Sequence, residues 1–407
     1  MKRFLLAALL APCLLAPCLL AACLLVACSS EHAVDPPGSG AGGGGGGGTH
    51  VQTLGLNDVT MVVPMPSTPS IVLMRASDKG ADGTELVPRA LFDRLNNAPV
   101  PNEPLIGPVI DEVIYAELQV VAIRFDLCDR VAPEPCADSD GRLRIVFQAL
   151  FPTPPVTAAD AAFHAFYTIP KADLPALVAE LRALAKIQNA DLGSPLQASP
   201  ALKASTSGEY ATRLAQLVTK YAGTNSLSRL TFFAQPRTFA QVRWMFRGIE
   251  KHDGSFVDIT IPGIGEPVQQ VITQGMSSFE VKPIADDPQG FALVVSETDF
   301  AAAPSASQAQ ALGALAVSDN PLAHTPETVQ CAICHLSTVL MNERAAAANM
   351  DPLSVNERYT AQGYDLSVAP LTDRTLRALG WLEGEPLISQ RAANESAQVA
   401  IEMDSRF

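Results

Sequence analysis

Histidine is scarce in this chain, with six in 407 residues, and aromatics make up only 6%. Basic residues are outnumbered: 28 Lys and Arg face 42 Asp and Glu, for a formal net charge of −14. No basic excess exists to neutralise phosphates, which excludes a general nucleic-acid binder. A P-loop, a G-x-S-x-G elbow and an H-E-x-x-H are all missing, so nucleotide hydrolysis, serine-hydrolase and zinc-protease chemistry have no motif to rest on. Carboxylates are plentiful but none pair at a spacing diagnostic of acid–base work. Only one stretch is apolar for long enough to span a bilayer, and it lies at the N-terminus.

What is present supports folding. Apolar residues reach 48% and charged residues only 17%, which supplies a large core and argues against global disorder. A length of 407 residues suits two or three domains.

The N-terminal stretch reads as an export signal. Lys2 and Arg3 precede a run at 4–27 of almost only Leu, Ala, Val, Pro and Cys, built on a repeated five-residue unit. A basic start, an apolar run and small residues at its end are the anatomy of a secretory signal. Leu25-Val26-Ala27-Cys28-Ser29 resembles the lipobox of bacterial lipoproteins. That resemblance implies that Cys28 becomes the first mature residue and carries a lipid, so a membrane is a partner through the anchor. Cys13, Cys18 and Cys23 would leave with residues 1–27. Ser29 after the lipidated cysteine implies the outer membrane. The alternative is an uncleaved membrane anchor. Residues 28–50 then form a linker, with an unbroken run from Gly42 to Gly48 that behaves as flexible coil.

Four further cysteines fall in two local pairs. Cys128 and Cys136 flank a loop rich in Pro and Asp between two strand-like runs. In an oxidising compartment this spacing favours a disulfide, because a seven-residue gap with no nearby His is poor metal-ligand spacing. The second pair is chemically sharper. Cys331-Ala332-Ile333-Cys334-His335 is a C-x-x-C-H. Two thiols one helical turn apart can each add to one vinyl group of a porphyrin, and the following His can then reach the iron. On these residues the chain resembles a c-type cytochrome over its last hundred residues. The resemblance implies one covalent haem c held by Cys331 and Cys334, with His335 as proximal iron ligand, and electron exchange with a redox partner protein. Three other readings compete. A thioredoxin-like pair would follow a strand, but a turn-rich segment precedes Cys331. Zinc needs more ligands than the motif brings, and neither His nor Cys follows His335. A plain C-x-x-C disulfide would make the chain a binding or scaffold lipoprotein.

The sixth iron ligand is open in the sequence. Met350 lies beyond an Ala run, where the chain must turn, and is the first candidate. His324, in the loop before the motif, is the second, and a vacant site that binds small ligands is the third. Met341 shares the motif's own helix and stays on the proximal side. Met403 has a core-packing position. Trp381, Tyr359 and Tyr364 read as core aromatics. Arg374, Arg377 and Arg391 read as solvated helix positions able to reach a propionate.

Residues 51–310 read as one α+β domain with a mixed or antiparallel sheet, followed at 311–407 by a small, mostly α-helical domain. Strands are expected at 113–127, 143–150, 163–169, 227–233, 242–247, 256–261, 279–284 and 291–295, and helices at 172–187 and 210–222. Gly254 marks a hairpin turn. In the C-terminal part, Thr325 or Thr328 is expected to cap the motif helix, a short helix to end at Gly380, and Pro386 to open the last helix. His164 sits in an apolar strand and reads as a buried, hydrogen-bonded histidine, and His252 reads as exposed on a turn.

Overall fold

Strand-forming residues concentrate between positions 118 and 272, and they pair there into one antiparallel sheet. A computed structural model describes residues 54–67, 73–97, 114–128, 136, 139–151, 156–235, 243–272, 288–326, 328–369, 378–382 and 385–407. The strands are β1 (Thr60–Val62), β2 (Leu118–Asp126), β3 (Gly141–Phe151), β4 (Thr157–Ile169), β5 (Leu227–Ala234), β6 (Arg243–His252), β7 (Ser255–Asp258) and β8 (Val268–Ile272). They run side by side in chain order from β1 to β7, and β8 pairs with β6. Every pairing is antiparallel. The β6–β7 turn carries Asp253 at φ 48° and Gly254 at φ 80°. Two positive φ values in a two-residue loop are what a type I′ hairpin needs, and Asp-Gly supplies them without strain.

The register sorts side chains onto two faces. Ile145, Phe163 and Phe232 share one face, and Arg144, His164, Thr231 and Phe233 the other. On the first face lie α1 (Arg89–Asn97), α2 (Leu174–Gln188) and α3 (Glu209–Tyr221). Phe92 of α1 meets Phe163 at 5.0 Å between ring centres, and Phe163 stacks on Phe232 at 4.5 Å. Each such pair adds about 0.5–1.5 kcal/mol beyond its buried area. Helix α2 buries Leu174, Leu177, Val178, Leu181 and Leu184, an i, i+3, i+4 stripe, and ends at Asn189 in the left-handed region.

The second face is covered by the C-terminal part of the chain. Helices α4 (Pro288–Val294), α5 (Ser305–Ser318), α6 (Cys331–Ala347) and α7 (Gln390–Arg406) alternate with a hairpin of β9 (Leu379–Leu382) and β10 (Glu385–Ile388). Ser389 caps α7 by accepting from the Ala392 N–H at 3.2 Å. Small residues along α7, among them Ala393, Ser396, Ala397 and Ala400, are buried and let the helix approach the sheet. The Ser396 hydroxyl lies 2.7 Å from that of Thr60 on β1. The hairpin is pinned by Gln148 of β3, whose amide donates to the Trp381 carbonyl and accepts from the Trp381 N–H. The described residues from 54 to 407 belong to one compact unit.

Several expectations change. Of the segment at 291–295, residues 291–294 lie in α4, where Phe291 and Val294 are buried, and not in a strand. A short apolar run fits a buried helix as well as a strand, so periodicity alone does not decide it. Gly380 lies within β9, and Pro386 lies in β10 rather than opening the last helix. Pro386 is tolerated there in a two-stranded hairpin. Thr328 closes a turn on Thr325 instead of capping α6, whose N-cap residue Gln330 makes no side-chain capping bond. The segment expected as a strand at 279–284 lies outside the described residues, as do residues 1–53. No helix among the described residues is long and apolar enough to cross a membrane.

Candidate functional site

Helix α6 begins at Cys331, so Cys331, Cys334 and His335 occupy positions i, i+3 and i+4 of its first turns and share one face. That face looks onto the second face of the sheet. The His335 ring lies 4.8 Å from the Phe233 ring centre, 5.1 Å from Phe246 and 6.4 Å from His164. These come from β5, β6 and β4, strands distant in sequence that only the sheet register brings together.

Between helix and sheet lies a cleft of about 130 Å³. Cys331, Cys334 and His335 form one wall, and His164, Phe166, Phe233 and Phe246 form the wall opposite. Arg124, Arg144, Arg229, Arg247 and Arg391 also line it, with Glu395 as the one carboxylate among the described lining residues.

The arginines are organised. Glu395 of α7 takes ion pairs from Arg391 Nε at 2.6 Å, from Arg144 Nη1 at 3.4 Å and from Arg124. Arg124 Nε also meets Asp126 at 2.8 Å. Burial alone would raise the Glu395 carboxyl, but Arg124, Arg391 and Arg144 hold it well below the usual carboxylate range. Three guanidinium charges against two carboxylates leave one positive charge in the cluster. Arg247 is buried, and burial draws its guanidinium down to about 10. Arg229 is balanced by Glu250 at 3.0 Å. Arg144 Nε is buried without a hydrogen-bond partner among the described residues. An apolar cleft with surplus positive charge and an unsatisfied guanidinium N–H suits a planar, largely apolar ligand bearing carboxylates. Haem has that chemistry, and the residues present fit it.

The thiols are unbridged. Burial pushes Cys331 up to about 12, with Cys334 adding to the effect, and pushes Cys334 up to about 11 against the pull of Arg391. Redox-active C-x-x-C pairs show the opposite shift, so a thioredoxin-like role finds no support in this environment. Among the described residues no group of three or more His, Cys, Asp or Glu could hold a metal ion, which leaves a zinc reading without its ligands.

The remaining expected residues fall elsewhere. Met350 follows the end of α6, and the helix between His335 and Ala347 alone covers about 18 Å. Met350 does not line the cleft. The His324 ring engages the Thr328 hydroxyl at 3.3 Å, its carbonyl accepts from Arg391 at 2.6 Å, and it does not line the cleft. Met341 and Met403 are buried. Trp381 donates to the Val63 carbonyl, Tyr359 pairs with Gln398 and Tyr364 donates to the Leu54 carbonyl, none of them in the cleft. Arg391 is buried in the site rather than solvated. Cys128 and Cys136 are disulfide-bonded, with 5.4 Å between their α-carbons. His252 is exposed and meets Glu250 at 2.9 Å. Cys28, Arg374 and Arg377 lie outside the described residues.

His164 departs from expectation. Its ring faces the cleft and makes no side-chain hydrogen bond among the described residues. Burial, reinforced by Arg144, His335 and Arg124, holds it well below its ordinary value, so it is a neutral imidazole. The signal available in the sequence was a polar side chain in an otherwise apolar strand. Compared with family models, curated proteins and solved structures, the chain matches none.

Proposed function

We propose that this chain is an exported, lipid-anchored, c-type cytochrome-like protein that carries one covalent haem and transfers electrons. The observation that carries the reading is the meeting of a C-x-x-C-H at a helix start with an aromatic, arginine-rich cleft. Cys331 and Cys334 would tether the group through thioether bonds, and His335 would ligate its iron. What haem supplies when bound is a one-electron couple between ferrous and ferric iron.

The chain's own residues do the rest. Phe233 and Phe246 set the position of the His335 ring by packing against it. Phe166 and these two rings keep water from the sheet side of the cleft, and a drier site is one of the levers on a redox potential. Arg124, Arg144 and Arg391 offer guanidinium donors to carboxylates, and Glu395 holds their geometry in advance. A net charge of −14 suits docking with a basic redox partner. Cys28 would anchor the mature protein to a membrane outside the cytoplasm, with the Gly-rich linker as its tether.

The test is a pyridine haemochrome spectrum of the mature protein, co-expressed with a haem-attachment system. One haem per chain is expected, and Cys331→Ala with Cys334→Ala abolishes covalent attachment. A colourless wild-type protein, properly exported, overturns the proposal.

A further inference from the structure

We infer that His164, on the central strand β4, is the second axial ligand of the iron that His335 holds. The inference rests on the haem reading above and identifies the sixth ligand within it.

Placement comes first. His164 pairs in register with Val146 of β3 and Thr231 of β5, deep inside the sheet, and its ring looks across the cleft at His335. The two ring centres are 6.4 Å apart. An imidazole nitrogen binds a metal at roughly 2 Å and lies about 1.1 Å from its ring centre, so two rings facing through one ion stand about 6.2 Å apart. The observed ring-centre separation agrees with that distance. The ring planes differ by 37°. Turning either ring about its metal–nitrogen axis changes neither bond length, so this angle is compatible with shared ligation.

Elimination comes second. Among the described residues that line the cleft, His164 is the one imidazole besides His335, and no methionine is present. Met350 is held at the far end of α6 by its N–H to the Ala345 carbonyl. His324 is turned to Thr328. A central strand paired on both sides is also a rigid mount, and axial geometry needs one.

The consequence is a six-coordinate, low-spin centre with two imidazoles, whose potential lies below that of a His–Met site. Such a centre has no open position, which makes it a carrier and not a ligand-binding haem.

The experiment uses the mature holoprotein. Ferric wild type is expected to give a low-spin electron paramagnetic resonance spectrum, and the reduced form to leave carbon monoxide unbound. His164→Ala is expected to keep one covalent haem per chain, become high-spin and bind carbon monoxide when reduced. His164→Met is expected to return the low-spin state with a sulfur-to-iron charge-transfer band that wild type lacks. Met350→Ala leaves the wild-type spectrum unchanged. A high-spin wild type, or a His164→Ala protein that stays low-spin, overturns the assignment while the haem reading stands. Should His164→Ala fail to fold, the near-infrared charge-transfer energy of wild type decides alone: a bis-imidazole value supports His164, and an imidazole–thioether value rejects it. A wild-type protein without haem sinks the haem reading and this inference with it.

Discussion

Glu395→Gln removes one negative charge from the centre of a buried cluster and keeps the side chain's shape. In the native protein Glu395 answers Arg124, Arg144 and Arg391, and Asp126 answers Arg124. The side chains of Arg124, Arg391 and Glu395 are only 7%, 6% and 11% exposed, so water cannot replace the lost carboxylate. Three guanidiniums would then face one carboxylate. Breaking a buried ion pair by removing one partner costs about 3–5 kcal/mol, against a total stability of about 5–15 kcal/mol. Urea unfolding followed by circular dichroism at pH 7, with wild type and variant side by side, measures the difference. The pH dependence has a fixed sign. Glu395 has a folded pKa below its unfolded one, so its contribution is full above the unfolded value of about 4.3 and fades as pH falls towards the folded one. The gap between the two proteins should be flat above pH 6 and should narrow on acidification below pH 4. A gap under about 1 kcal/mol at neutral pH, against the expected few, would refute the reasoning. So would a gap that widens in acid.

Asp319 should behave in the opposite sense. Burial raises its carboxyl to about 7 despite Arg391 and Arg358, so its ionisation opposes folding as pH climbs. Asp319→Asn should match wild type near pH 4 and exceed it at pH 8 by up to about 4 kcal/mol, read from thermal midpoints converted to free energy; equal differences at both pH values would contradict this. Replacing Cys128 and Cys136 by Ser should lower unfolding free energy by about 2–3 kcal/mol, since the bridge closes a loop of sequence separation 8. A reductant should reproduce that loss in wild type and add nothing to the variant. Trp381→Phe leaves the Val63 carbonyl without its 2.7 Å donor and should cost about 1–3 kcal/mol in urea unfolding.

Long elements were legible in the residues. The strands β3, β4 and β5 and the helices α2 and α3 carry enough alternation or 3.6-residue periodicity to declare themselves, and Asp253-Gly254 declares its turn. Short elements were not. β1 and β8 hold three and five residues, and their pairing depends on strands far along the chain. The same holds for the site. The motif at 331–335 is local and needs no fold to be read. Arg124 meets Glu395 across 271 positions of sequence, and nothing near either residue announces the other. For Met350, an Ala run followed by Asp351-Pro352 suggests a turn back. The helix instead runs unbroken to Ala347 and carries Met350 away from the motif. His164 was visible as an oddity in its strand, but its facing of His335 required the register of β4 and the placement of α6.

The most direct test of the account is the intact mass of the exported protein under denaturing conditions, taken with its visible spectrum. A lipid-anchored c-type cytochrome begins at Cys28 with its lipid, is heavier by one haem and shows Soret absorbance, with the haem mass lost when Cys331 and Cys334 are replaced by Ala. A mature chain at the bare polypeptide-plus-lipid mass, without Soret absorbance, would contradict it.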